Sequence, residues 1–96
     1  MKILYLHGYQ GSPNWDRINY LKSLGHEVIS PQIDYDNEHS FFIDLLELDF
    51  DFIVGNSLGG FVGFYLSIYK GLPCICINPP LYMDLKVKIN QKQELK

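Results

Sequence analysis

The chain is poor in the features that define several large classes of protein. After Met1 and Lys2 only four apolar residues precede His7 and Gly8, too few for the apolar core of a signal peptide or a membrane span. The expectation is therefore a cytoplasmic protein with no membrane partner. Basic residues are in the minority, 8 Lys and Arg against 11 Asp and Glu, and the formal charge of -3 argues against nucleic acid as a partner. Only two cysteines occur, Cys74 and Cys76, with no matching cluster of His or Cys, so no metal site and no cofactor is expected. They alternate with Ile75 and Ile77 in what reads as a strand. The expectation is that the two thiols point to opposite faces as packing residues, too badly oriented to bond to each other. Histidine is scarce and confined to one side of the sequence: His7, His26 and His39 are the three, and none lies beyond position 39.

What is present is a chain of 96 residues, 47% hydrophobic, with room for a single core. Apolar runs alternate with segments of helical periodicity, the pattern of a parallel sheet with crossover helices. Ile3 to Leu6 is a short buried strand. Ser12 and Pro13 read as the cap and first position of a helix with Ile18, Leu21 and Leu24 on its apolar face, ended by Gly25. Glu27 to Ser30 is a second strand, and Phe41, Phe42, Leu45, Leu46 and Leu48 trace a second helix, with Asp36 or Asn37 as its cap. Phe50 to Val54 is a third strand, Leu58 to Tyr69 a third helix closed by Gly71, and Pro73 to Ile77 a fourth strand stopped by Asn78-Pro79-Pro80. The predicted architecture is three-layered α/β, a short parallel sheet of about four strands in the order 2-1-3-4 with helices on both faces. Residues 1–82 are assigned to this domain and residues 83–96, rich in lysine, to a polar tail or an incomplete next element.

Chemistry is concentrated at two glycine-rich turns. Gly55-Asn56-Ser57-Leu58-Gly59 joins an apolar strand to an amphipathic helix, the context in which Gly-x-Ser-x-Gly forms a nucleophile elbow. The backbone crosses itself closely at such a turn, so small residues are needed two before and two after the serine. Ser57 is expected to hold a strained, positive φ. Gly60 extends the glycine run onto the third helix. No Lys follows these glycines as a phosphate-binding loop requires, which leaves acyl transfer as the chemistry of choice. His7-Gly8-Tyr9-Gln10-Gly11-Ser12-Pro13 follows the first strand directly, and its glycines let backbone N–H groups turn toward Ser57. Tyr9 and Leu58 are the candidate oxyanion donors.

Leu4-Tyr5-Leu6-His7-Gly8-Tyr9, Ser12-Pro13, Gly55-Asn56-Ser57-Leu58-Gly59-Gly60 and Ile77-Asn78-Pro79 together resemble the small bacterial esterases of the YqiA type, in the same order. The resemblance implies the N-terminal part of an α/β-hydrolase, truncated relative to that family, with esterase or thioesterase activity on small acyl esters. It maps the nucleophile onto Ser57 and the oxyanion donors onto Tyr9 and Leu58, with His7, Gly8, Gly55, Gly59 and Gly60 as supporting motif residues. In this family the acid and the histidine follow the Asn-Pro element, and no histidine here occupies that position. His7, on a strand neighbouring that of Ser57, is the nearest substitute base; His39, and Asp84 as a displaced acid, are weaker ones. A catalytically silent, hydrolase-like module that binds or oligomerises is the alternative. The fourth strand, apolar on both faces and uncharged, is expected to be covered along its outer edge by a second copy of the chain in a homodimer, by another partner, or by Leu85 to Ile89 folding back.

Overall fold

The computed structural model describes residues 1–9, 11–37 and 40–78. Four parallel strands form one sheet: β1 (Lys2–Leu6), β2 (Glu27–Ile29), β3 (Phe52–Asn56) and β4 (Cys74–Ile77), in the order β2-β1-β3-β4. The helices are α1 (Trp15–Ser23), α2 (Phe41–Leu46) and α3 (Leu58–Lys70). The strand order, the parallel register and the three layers are those expected. The tail assigned to residues 83–96 and the proposed strand over Leu85 to Ile89 lie outside the described residues.

Strand alternation divides the core between the two faces. Leu4, Leu6 and Ile53 pack with Leu45 of α2 and with Val62 and Leu66 of α3 on one side. Ile3, Tyr5 and Val54 pack with Ile18 of α1 on the other. Leu4, Leu6, Ile18, Ile53 and Leu66 are sealed from solvent, each contributing roughly 1.5–3 kcal/mol through burial. The central strand β1 is hydrophobic throughout its buried stretch because both of its faces are covered.

Several boundaries differ from the expected ones. The first helix is capped by Asn14, whose side-chain oxygen accepts from the Arg17 N–H at 3.1 Å, so Ser12 and Pro13 belong to the preceding loop. A side chain that satisfies an open N–H in the first turn outweighs a proline that merely tolerates that turn. Leu24 is the exposed C-cap rather than part of the apolar stripe. The third strand is shifted by two residues: Phe50 is buried ahead of it, beneath the Lys70 ammonium at 4.3 Å, and the ladder runs on through Gly55 and Asn56. Ser40, not Asp36 or Asn37, precedes α2 as its N-cap residue. Asp36 is instead held by the Tyr9 hydroxyl, and the Asn37 amide donates to Asp34.

The two cysteines correct the expectation made for them. Residues two apart in a strand point to the same face. Cys74 and Cys76 accordingly share the α3 face of β4, their sulfurs 3.7 Å apart, while Ile75 and Ile77 point toward α1. Lys70, in the last turn of α3, donates to the Leu46 and Leu48 carbonyls at 3.1 and 2.6 Å and so ties the end of α2 to the end of α3. Gly71 closes α3 with φ 66°, the left-handed conformation that glycine adopts without strain.

Candidate functional site

Parallel strands place all their C-terminal ends along one edge of the sheet, and the loops leaving β1 and β3 meet there. Ser57 occupies the turn from β3 into α3 with φ 55° and ψ -121°. A non-glycine residue is forced into this region only when the surroundings over-determine it, at a cost of about 1–3 kcal/mol. Here the constraints are visible. The Ser57 N–H donates to the Ile77 carbonyl at 2.8 Å, extending the β3–β4 ladder through the serine. Its own carbonyl accepts from the Gly60 N–H at 2.9 Å, the first turn of α3. The chain must therefore finish a strand and begin a helix on either side of one residue.

The glycines around Ser57 are required by contact with backbone. A methyl group on Gly55 would collide with the Gly59 carbonyl and with Gly60 Cα at 2.6 Å; one on Gly59 would collide with the Leu6 carbonyl and with His7 O, also at 2.6 Å. No rotamer relieves either clash, because the atoms met are main chain. Gly8 stands against the serine itself: a Cβ there would lie 3.1 Å from Ser57 Cβ and 3.6 Å from its Oγ. The structure thus gathers Gly8, Gly55, Ser57, Gly59 and Gly60 at one point.

The loop after β1 is held by its own hydrogen bonds. The Gly8 carbonyl accepts from the Gly11 N–H at 3.1 Å and from His7 Nδ1 at 2.7 Å. Carbonyl and N–H of a trans peptide point in opposite directions, so the Tyr9 N–H is aimed away from these two donors. The Leu58 N–H belongs to the first turn of α3, where no intrahelical acceptor exists. The Ser57 side chain makes no capping bond to that helix. A hydroxyl at this place lies near the positive end of a helix of 13 residues, which favours negative charge developing beside it.

His7 does not act on Ser57. The ring is buried, and the Ile33 N–H donates to its Nε2 at 2.7 Å. An N–H can only donate, so Nε2 carries no proton, and the 2.7 Å contact from Nδ1 to the Gly8 carbonyl requires the proton to sit on Nδ1. Both nitrogens are committed to backbone, and the ring is a cross-brace between the β1 loop and the segment after β2. Tyr35 completes the brace: its hydroxyl donates to the His7 carbonyl at 2.7 Å and its ring meets the imidazole edge-on at 5.5 Å. Burial pushes the Tyr35 phenol well above its usual range. Sequence reasoning missed Tyr35, because no local pattern links it to a histidine 28 residues earlier.

His26 sits at the opposite, N-terminal edge of the sheet, 3.5 Å from the Met1 ammonium. His39 and Asp84 lie outside the described residues. The Tyr9 side chain leans away from the serine, its hydroxyl donating to the two Asp36 carboxylate oxygens at 2.7 and 2.8 Å. Asp34 is held below the usual carboxylate range chiefly by the Asn37 amide, with the Asp36 and Asn37 N–H groups assisting. These residues border a cavity of about 510 Å³ lined by Gly11, Gln32 and the residues from Ile33 to Asn37, and Ser57 is not part of its wall. No group of three or more His, Cys, Asp or Glu side chains placed to hold a metal ion exists among the described residues. Nor is any helix among them long and apolar enough to cross a membrane.

One family, described as an uncharacterised protein family (UPF0227), has a sequence model that matches residues 2–94. No curated protein and no solved structure matches the chain.

Proposed function

Because the chain belongs to UPF0227, the YqiA-like esterase family, we propose that it carries the nucleophile half of a serine esterase or thioesterase acting on small acyl esters. At the family level it is an esterase-like hydrolase. In the finer reading Ser57 is the nucleophile, and the N–H groups of Tyr9 and Leu58 receive the charge that develops on the acyl oxygen. The observation that carries this reading is the Ser57 turn, with φ 55° and ψ -121° between β3 and α3. The ladder and the helix impose this torsion on whatever residue stands there, and glycine would adopt it without strain, so its occupation by a serine is what points to chemistry. Gly8 adds support, since its missing side chain leaves the flank of Ser57 Oγ open to an acyl group.

The reaction is acyl transfer. Ser57 Oγ attacks the carbonyl carbon while its proton passes to a base, the oxyanion forms beside the two N–H donors, and collapse expels the alcohol or thiol. Water then releases the acid by the same route. Engagement of both His7 nitrogens by backbone removes that histidine as the base. The proton acceptor in this proposal therefore comes from outside the described residues, on this chain or another polypeptide.

The same engagement of His7 favours a second reading, a catalytically silent module that keeps the elbow while binding or assembling. A fluorophosphonate probe separates the two. Slow but stoichiometric labelling, located at Ser57 by peptide mass spectrometry and absent from Ser57→Ala, supports the esterase reading. Protein that remains unlabelled favours the silent module, and label on another residue rejects Ser57 as nucleophile. Hydrolysis of short p-nitrophenyl esters is expected to be weak in either case, since loss of a base costs several powers of ten in rate.

A further inference from the structure

The Tyr9 N–H belongs to a loop that its own sequence leaves soft. Gly8 separates two peptide planes, His7–Gly8 and Gly8–Tyr9, and a residue without Cβ lets each turn with little hindrance from the other. Glycine is nevertheless favoured there, because a Cβ would crowd Ser57 Cβ at 3.1 Å. Each plane must therefore be fixed by hydrogen bonds of its own. The Gly8 carbonyl, in the second plane, accepts from His7 Nδ1 at 2.7 Å and from the Gly11 N–H at 3.1 Å. The His7 carbonyl, in the first plane, accepts from the Tyr35 hydroxyl at 2.7 Å.

Tyr35 is itself firmly placed. Its ring meets His7 edge-on at 5.5 Å and Phe41 of α2 edge-on at 5.2 Å. Burial pushes its phenol well above the usual range, which keeps the hydroxyl a donor. The same segment supplies the Ile33 N–H that holds His7 Nε2, so the chain after β2 orients both the imidazole and the carbonyl of one residue. That carbonyl also faces the start of α3, since a Cβ on Gly59 would lie 2.6 Å from His7 O. The Tyr35 hydroxyl, the β1 loop and the first turn of α3 thus meet at a single oxygen. A tilt of that oxygen moves the loop bearing the Tyr9 N–H against the helix bearing the Leu58 N–H.

We infer that Tyr35 is a positioning residue for the proposed acyl transfer, on which this inference rests: through the His7 carbonyl, its hydroxyl sets where the Tyr9 N–H stands relative to the Leu58 N–H. Without the hydroxyl the first plane turns at Gly8 and the Tyr9 N–H is displaced. Ser57 and Leu58 stay in place, because the Ile77 carbonyl and helix α3 hold them. Charge developing on the reacting oxygen then meets one well-placed donor in place of two. The bound ground state, in which that oxygen carries little charge, loses little.

The test is saturation labelling by a fluorophosphonate, whose phosphoryl oxygen takes the place of the acyl oxygen. Ser57 Oγ bonds to phosphorus, fluoride leaves, and the serine proton passes to solvent. The kinetics separate reversible binding, KI, from bond formation, kinact. Loss of an oxyanion donor costs about 10²–10³ in rate, and here the Gly8 carbonyl keeps both its donors, so Tyr35→Phe should lower kinact by about tenfold at unchanged KI. Phenylalanine keeps both ring contacts, and circular dichroism with a urea midpoint checks the fold. The Tyr9 amide signal in a proton–nitrogen correlation spectrum should also move. A hydroxyl with a purely structural role would lower the urea midpoint and leave kinact as it was. Wild-type kinact in Tyr35→Phe, a loss confined to KI, or an unmoved Tyr9 amide signal each overturns the inference while Ser57 remains the nucleophile. A wild type that stays unlabelled removes the acyl-transfer reading, and this inference with it.

Discussion

Replacing Ser57 by glycine and by alanine tests whether the turn stores strain. Alanine keeps a Cβ at φ 55° and so keeps the strain. Because the serine side chain makes no capping bond, its loss should change stability by less than about 0.5 kcal/mol. Glycine removes the steric conflict, worth about 1–3 kcal/mol at such a torsion. Set against this is about 0.5–1 kcal/mol for the greater freedom of glycine in the unfolded chain. The difference leaves Ser57→Gly more stable than Ser57→Ala by about 1 kcal/mol. With a urea dependence of roughly 1–3 kcal/mol per molar for a small domain, the midpoint should move upward by about 0.5 M. Both variants should lose fluorophosphonate labelling, so stability and reactivity part company at one residue. Equal midpoints for the two variants would refute the argument, since they would mean that the torsion costs nothing.

Other consequences are checked more briefly. Gly59→Ala drives a methyl into the Leu6 and His7 carbonyls, and should cost roughly 2–3 kcal/mol in urea unfolding, where an ordinary helical Gly→Ala change would stabilise. Cys74 and Tyr35 both become anions that burial disfavours, so their folded pKa values lie above the unfolded ones of 9.0 and 10.0. Stability should accordingly be intact below pH 9.0 and fall as pH rises toward about 12. Urea midpoints against pH should show this fall, and Cys74→Ala should flatten its first part. The outer edge of β4 carries no strand among the described residues and Ile75 is 52% exposed, so we propose that a second copy pairs there. Sedimentation equilibrium should then give a dimer that Ile75→Lys dissociates, and a wild-type monomer at micromolar concentration would refute the pairing.

The sequence by itself determined the order and kind of the elements, because alternating apolar runs and helical stripes are local patterns tied to burial. It also located the serine turn. Gly55 and Gly59 flank Ser57 at the fixed spacing that this tight strand-to-helix turn needs, and Gly8 lies in the loop that follows the strand paired with that one. The start of α1 reads locally as Ser12-Pro13, and the Asn14 cap that replaces it rests on a side-chain hydrogen bond that only the folded chain forms. The cysteines were misplaced through strand geometry, since the period of two that alternates neighbours also aligns residues two apart. Only the tertiary structure decided the fate of His7. Its distance from the serine strand suggested a base, but the Ile33 N–H and the Gly8 carbonyl claim its two nitrogens. A histidine's chemistry depends on which groups its nitrogens meet, and one of those partners arrives from a segment 26 residues away, brought there by the pairing of β1 with β2.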